Sequence, residues 1–155
     1  MKKVIFIAST GGHLAELLQL KDLFKKTEYM IITENTKSNL SLVKKHKRVE
    51  FLIYGTKKNF LVYPFKFIAN TFKSLRIFLK FKPDFVIGTG AHTCVPMFYI
   101  AKLFGKKTIY IETMANIKTK TLTGRIVYPI TDLFLVQWES MLKLYPKAKY
   151  GGWIY

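Results

Sequence analysis

Residues 4–13 read VIFIASTGGH, and this stretch decides how the chain begins. A short apolar run is typical of a buried strand, and the adjacent glycines that follow it allow a sharp backbone turn. The leucine-rich residues after His13 then repeat at helical spacing. The pattern predicts a strand, a glycine turn and a helix, which together bring backbone N–H groups and the positive end of a helix to one point. A phosphate would be favoured there, within reach of His13.

Apolar runs alternate with helix-length segments along the rest of the chain. This alternation predicts a Rossmann-like, doubly wound α/β domain, with a parallel sheet covered by helices on both faces. Strands are expected near residues 3–8, 29–33, 48–53, 85–88, 107–111 and 133–137. Helices are expected near residues 13–26, 39–45, 60–81, 94–104, 121–128 and 139–144. Ligands of such sheets gather at the carboxyl ends of the strands, where Ser9–His13, Gly88–Thr93 and Glu112–Asn116 fall.

Length and charge narrow the classes of protein to consider. The chain has 155 residues, one cysteine and a formal net charge of +17. We expect a single domain over residues 1–155, with no internal disulfide, no metal site, no signal peptide and no membrane-spanning helix. So large a positive charge implies an anionic partner, which could be nucleic acid, a membrane surface or a phosphorylated substrate. No nucleic-acid-binding motif is recognisable, so nucleic acid is not expected as a partner.

The predicted helix at residues 60–81 carries much of this charge. No acidic residue lies between Glu50 and Asp84, while the interval holds seven lysines and arginines and many Phe, Leu and Ile residues. Basic and apolar residues interleaved in this way are typical of a helix that lies in a membrane interface. The residues expected to bind an anionic membrane are Phe65, Lys66, Phe72, Lys73, Arg76 and Lys80. An ordinary core-packed helix with a solvated lysine stripe is the alternative.

The first glycine turn admits more than one ligand. A dinucleotide site would need the pattern G-x-G-x-x-G, whereas Gly11 and Gly12 are adjacent and the later glycine is missing. Glu34, at the end of the second strand, stands where a ribose-binding acid would be, so a nucleotide-dependent oxidoreductase stays open. A tight turn without any ligand also stays open.

The second glycine turn and Glu112 supply the remaining candidates. Gly88 and Gly90 form another strand-to-helix turn, in which Thr93 could cap the next helix. Two helix N-termini facing one crevice would suit a diphosphate, although close strand–helix packing also explains these glycines. Glu112 leaves a buried strand and could act as a base, orient a histidine or accept sugar hydroxyls. Its alternative is a loop carboxylate that pairs with a lysine.

Four segments resemble a known family: STGGHL at residues 9–14, PDFVIGTGAHTCVP at 83–96, YIETMANIKTKTLTGRIVYPITDLFLVQW at 110–138 and YPKAKYGG at 145–152. They are similar to bacterial capsule and exopolysaccharide proteins of the CpsF/PssD type. Those proteins are relatives of the membrane-anchor subunit of the eukaryotic dolichol-diphosphate N-acetylglucosamine transferase. More distantly, the chain is similar to the N-terminal half of the MurG-type GT-B glycosyltransferases.

This resemblance implies half of a split enzyme in capsular or exopolysaccharide biosynthesis. The chain would be the acceptor-side half of a GT-B fold and would bind a lipid-diphosphate-linked sugar. It would recruit a separate donor-binding subunit to the cytoplasmic face of the cell membrane, as a peripheral protein. Transfer from a UDP-sugar would invert the anomeric carbon and need no cofactor, and the chain alone would be weak or inactive. A non-catalytic membrane scaffold for the same partner is the alternative.

The resemblance also assigns roles to particular residues. The residues implied to face the acceptor diphosphate are Gly11, Gly12, Gly88, Thr89, Gly90 and Thr93. His13 matches the histidine considered as general base, and Glu112 matches the acidic position at the end of the fifth strand. A neutral imidazole suits that task near physiological pH, and a carboxylate beside it would hold its tautomer. Trp153, Ile154 and Tyr155, in the segment 145–155, are expected to dock the partner, and the frayed end of the last strand is the alternative.

Overall fold

The computed structural model describes residues 1–55 and 61–155. Within these ranges seven strands form one parallel sheet in the order β3-β2-β1-β4-β5-β6-β7. The strands are β1 (Lys3–Ala8), β2 (Glu28–Glu34), β3 (Val49–Leu52), β4 (Phe85–Thr89), β5 (Lys107–Ile111), β6 (Leu133–Val136) and β7 (Lys149–Tyr150). The helices are α1 (Gly12–Leu17), α2 (Lys21–Lys26), α3 (Tyr63–Phe81), α4 (Val95–Leu103) and α5 (Leu122–Val127). The predicted doubly wound fold is confirmed.

The central strand shows why both faces of the sheet are covered. Ile5 and Ile7 of β1 pack into one core with residues of α3 and α4. Phe6 and Ala8, which point the opposite way, pack into a second core with residues of α1 and α2. Because successive side chains of a strand point to opposite faces, an unbroken apolar run needs a hydrophobic layer on each side.

Three predicted helices differ from the structure, and one strand was not predicted. The predicted helix at 13–26 is two helices, because α1 ends at Leu17 and α2 begins at Lys21. The predicted helices at 39–45 and 139–144 are short 3-10 helices, Leu40–Lys44 and Glu139–Lys143. The short strand β7 was missed. Its two residues are exposed and lack an alternating pattern, so only their pairing with β6 reveals them.

Helix α3 lies beside the sheet with one face buried. Its predicted first residue, Phe60, lies outside the described residues, and the helix runs from Tyr63 to Phe81. Lys82 then ends the helix in a left-handed conformation with φ 54°, and its N–H donates to the Phe78 carbonyl. The Asn70 amide accepts from the Ile53 N–H at 2.7 Å and donates to the Ile53 carbonyl at 2.9 Å. These bonds fasten the helix to the chain just after β3.

The fastening brings the start of α3 to the carboxyl edge of the sheet. The Tyr63 and His92 rings meet edge to face with centroids 5.3 Å apart. His92 belongs to the turn that follows β4, so the first turn of α3 borders the crevice above the strands. Among the described residues, no helix is long and apolar enough to cross a bilayer.

Candidate functional site

The first glycine turn follows β1 and opens to solvent. Gly11 has φ 81° and stands at the start of α1, where its carbonyl accepts from the Ala15 N–H at 3.1 Å. Both Gly11 and Gly12 are exposed, and a Cβ added to either would meet no described residue within 4 Å. The positive φ therefore explains Gly11, while residues 1–55 and 61–155 leave the space above both glycines open.

The second glycine turn lies beneath the first one. Gly90 has φ 89°, and a Cβ there would overlap the Cβ and ring of His13. A Cβ at Gly88 would come within 2.7 Å of the Phe98 ring, so close packing of β4 against α4 accounts for that glycine. Gly88, Thr89 and Gly90 are all buried. Of the two turns, the first presents the open surface and the second supports it.

Glu34 joins the two turns from below. Its Oε2 accepts from the Thr10 N–H at 3.0 Å, and its Oε1 accepts from the Thr93 hydroxyl at 3.0 Å. His92 Nε2 lies 3.6 Å from the same Oε1. The prediction that Thr93 caps a helix is therefore wrong. The helix α4 has no side-chain cap, and the Thr93 hydroxyl donates to Glu34 instead. Glu34 is only 2% exposed, so its carboxylate is not accessible to a nucleotide ribose.

The carboxylate beside His13 is Glu16, which the sequence analysis missed. Its Oε2 lies 3.6 Å from His13 Nδ1, and its Oε1 accepts from the Thr113 hydroxyl at 3.0 Å. The Thr89 hydroxyl donates to Oε2 at 3.4 Å. Burial alone would raise the pKa of Glu16, but the contacts with His13 and Thr113 outweigh it and the pKa is lowered. The signal in the sequence is the i, i+3 spacing, which places both side chains on one helix face.

Glu112 occupies a separate buried network. The carboxylate is 1% exposed and accepts from the Tyr145 hydroxyl at 2.9 Å, the Thr121 hydroxyl at 3.0 Å and the Thr113 N–H at 3.1 Å. Burial raises the pKa of Glu112 despite these hydrogen bonds. Thr121 also caps α5 by accepting from the Gly124 N–H at 2.9 Å. Glu112 thus ties the end of β5 to the start of α5, and its catalytic role stays a prediction.

The three residues expected to dock a partner differ in their surroundings. Trp153 is 70% exposed, and its ring meets that of Trp138 edge to face with centroids 6.2 Å apart. Ile154 and Tyr155 pack against the core on the α1 face of the sheet. Burial raises the pKa of the Tyr155 phenol. Trp153 is therefore the residue of this group that is free to meet another chain.

Two stripes cover the outward face of α3. The apolar stripe consists of Phe65, Ile68, Phe72 and Leu79, which are spaced at three, four and seven residues and are all exposed. Beside it, Lys73, Arg76 and Lys80 form an exposed basic stripe. Lys66 is half-buried and donates to the Tyr54 carbonyl at 3.1 Å. We call Phe65, Ile68, Phe72, Lys73, Arg76, Leu79 and Lys80 the outer face of α3.

Solved structures define the class to which this architecture belongs. MurG of Acinetobacter baumannii superposes with a TM-score of 0.75 at 22% identity, over 90% of this chain and 43% of that one. The UDP-GlcNAc 2-epimerase of Methanocaldococcus jannaschii gives a TM-score of 0.68 at 15% identity, over 91% and 41%. The chain thus spans less than half the length of either. It is a Rossmann-like domain equivalent to the N-terminal half of a GT-B fold.

Sequence comparison identifies the family. The chain belongs to the family described as oligosaccharide biosynthesis protein Alg14 like, which matches residues 3–154. The Mus musculus UDP-N-acetylglucosamine transferase subunit ALG14 is 28% identical, over 97% of this chain and 82% of that protein. The Candida albicans subunit of the same name is 29% identical, over 94% and 75%. The expected kinship with the eukaryotic transferase subunit is confirmed, whereas the narrower match to CpsF/PssD proteins stays a prediction.

Proposed function

We propose that this chain is the acceptor-side subunit of a two-chain glycosyltransferase that extends a lipid-diphosphate-linked sugar in capsular or exopolysaccharide biosynthesis. The family match over residues 3–154 carries the proposal. Its relatives are named as UDP-N-acetylglucosamine transferase subunits and align over most of their own length. UDP-N-acetylglucosamine is therefore the first donor to test, and a separate donor-binding chain is the partner we expect.

In the proposed reaction, the acceptor diphosphate lies over the exposed backbone of Gly11 and Gly12. His13 accepts the proton of the acceptor hydroxyl while that oxygen bonds to the anomeric carbon of the donor sugar. The bond from that carbon to the UDP oxygen breaks, and UDP leaves with the electron pair. Attack opposite the leaving group inverts the anomeric carbon. Because Thr89 and Thr93 are buried, their part is to shape the turns beneath the ligand.

The direct test is reconstitution of transfer. The chain is mixed with its donor-binding partner, UDP-N-acetylglucosamine and a short-chain prenyl-diphosphate N-acetylglucosamine, and the lipid product is measured by mass spectrometry. We expect a lipid-linked disaccharide from the mixture and little or none from either protein alone. Equal transfer by the partner without this chain would overturn the proposal.

The outer face of α3 supports peripheral attachment at the cytoplasmic face of the membrane. Phe65 and Phe72 are 73% and 70% exposed, which is unusual for side chains of this size in water. A basic stripe beside an apolar one matches an anionic bilayer, where cations meet the headgroups and the rings enter the interface. The first turn of α3 borders the crevice, so this attachment would hold the site near a lipid-linked acceptor.

Vesicle binding tests this attachment. We expect the chain to sediment with vesicles containing phosphatidylglycerol, and added salt to weaken the binding because it screens the cations. Replacing both Phe65 and Phe72 by serine should weaken binding by at least about tenfold, since each buried ring contributes about 1.5–3 kcal/mol. The matched control is L40S/V43S, which replaces two apolar side chains that are 50% and 55% exposed. They flank Leu42, which belongs to the core on the opposite face of the sheet from α3. Equal binding by both double variants would contradict the assignment.

A further inference from the structure

Glu16 contacts all three segments at the carboxyl edge of the sheet. It lies on α1 one turn after His13, and it accepts from Thr89 at the end of β4 and from Thr113 just after β5. We infer that Glu16 is a positioning residue that holds the His13 imidazole with its proton on Nδ1 and leaves Nε2 free to act as the base. This inference rests on the proposed function, and nothing in the comparisons assigns a role to Glu16.

The orientation of the imidazole supports the inference. His13 Nδ1 is buried and has no hydrogen-bond partner among the described residues, and the ionisable group beside it is the Glu16 carboxylate at 3.6 Å. The His13 side chain keeps 29% of its surface exposed. Nδ1, the ring nitrogen nearest Glu16, contributes none of that exposure. A distance of 3.6 Å is longer than a hydrogen bond, and such contacts often shorten when substrate binds.

The chemistry of a carboxylate explains the tautomer. An ionised carboxylate only accepts hydrogen bonds, so a neutral imidazole facing it must carry its proton on the facing nitrogen. The lone pair then lies on the other nitrogen, where a base needs it. Glu16 suits this role because the Thr89 and Thr113 hydroxyls donate to it and its pKa is lowered. Glu112 was expected to play this role, but its carboxylate accepts hydrogen bonds from Thr113, Thr121 and Tyr145 instead.

The variant E16Q keeps the shape of the Glu16 side chain and removes its negative charge. The shortest contact of Glu16 is the 3.0 Å bond from Thr113 to Oε1, and it would keep the amide oxygen of the glutamine on that side. The NH2 group then faces Nδ1 and can only donate. His13 must accept on Nδ1 and carry its proton on Nε2, so the base is lost while the shape of the site is kept.

The closing experiment reads the tautomer and the activity separately. Imidazole 15N spectra of the chain assign which nitrogen of neutral His13 carries the proton, with H13Q identifying its signals among the three histidines. Transfer is measured with the reconstituted pair and the probes named above. We expect an Nδ1–H tautomer in the wild type, an Nε2–H tautomer in E16Q, and a kcat lower by about 10–100-fold with little change in the acceptor KM.

The matched control is D22N, which neutralises a carboxylate on α2 that is 85% exposed. It should leave both spectra and transfer unchanged. An unchanged tautomer in E16Q, or wild-type kcat in that variant, would overturn the inference.

If E16Q fails to fold, as judged by thermal unfolding, E16A gives the same two readouts. If the wild-type pair transfers no sugar, the proposed function fails, while the imidazole spectra still decide whether Glu16 sets the tautomer.

Discussion

Replacing His13 by alanine is expected to lower sugar transfer by the assembled enzyme by about 10²–10⁴-fold, the usual contribution of a positioned general base. The imidazole packs over Gly90 between the two glycine turns, and the His13 side chain stays 29% exposed. Its removal takes away the group that would accept the proton of the acceptor hydroxyl. The measurement is kcat for the reconstituted pair, together with co-purification of the two chains.

The same variant separates catalysis from scaffolding. A non-catalytic scaffold would keep full transfer in H13A as long as the two chains still bind, and that result would favour the alternative. The control is H46A, since His46 lies elsewhere, with its Nδ1 3.0 Å from the Tyr29 hydroxyl. Lost transfer in H13A with intact assembly, and near-normal transfer in H46A, would support a shared active site.

The fold follows from local patterns that a sequence displays directly. The apolar run before Ser9 and the later strand-like runs need two hydrophobic layers, and the structure has both. The break between α1 and α2 escapes this reasoning. Leu17, Leu18 and Leu20 continue the apolar pattern through the break, so the periodicity gives no sign that the helix stops. Periodicity reports which residues face the core, and both short helices face the same core.

The location of the candidate site was predictable from the sequence, but its hydrogen-bond network was predictable only in part. The three segments at the carboxyl edge follow from the order of strands and helices. The partners of Glu34 do not, because Thr10 and Thr93 lie 24 and 59 residues away along the chain. Glu34 also stands where a ribose-binding acid is expected. Only its burial shows that it forms hydrogen bonds within the protein and does not contact a ligand. Long-range hydrogen bonds of this kind leave no local pattern.

A second large effect is expected at Gly90. Both Gly90 and Gly105 have positive φ, at 89° and 65°, so alanine at either position adopts a backbone conformation that costs about 1 kcal/mol or more. They differ in their neighbours: a Cβ at Gly105 comes within 4 Å of none of the residues that the structure describes, whereas one at Gly90 overlaps His13. We expect G105A to lose about 1 kcal/mol of unfolding free energy and G90A about 2–4 kcal/mol, since overpacking adds to the backbone cost.

Denaturant unfolding of G90A, G105A, H13A and the double variant H13A/G90A tests this contact. If the His13 side chain is what the new Cβ meets, H13A should relieve part of the loss in G90A, which a double-mutant cycle measures as coupling. Transfer should fall in G90A along with stability, because the imidazole must move off the turn, and stay near normal in G105A. Equal destabilisation by both alanines, with no coupling to His13, would mean that the two glycine turns do not meet at this residue. Coupling would mean that the proposed base, His13, rests against the second glycine turn. Its position then depends on Gly90, which lies 77 places further along the chain.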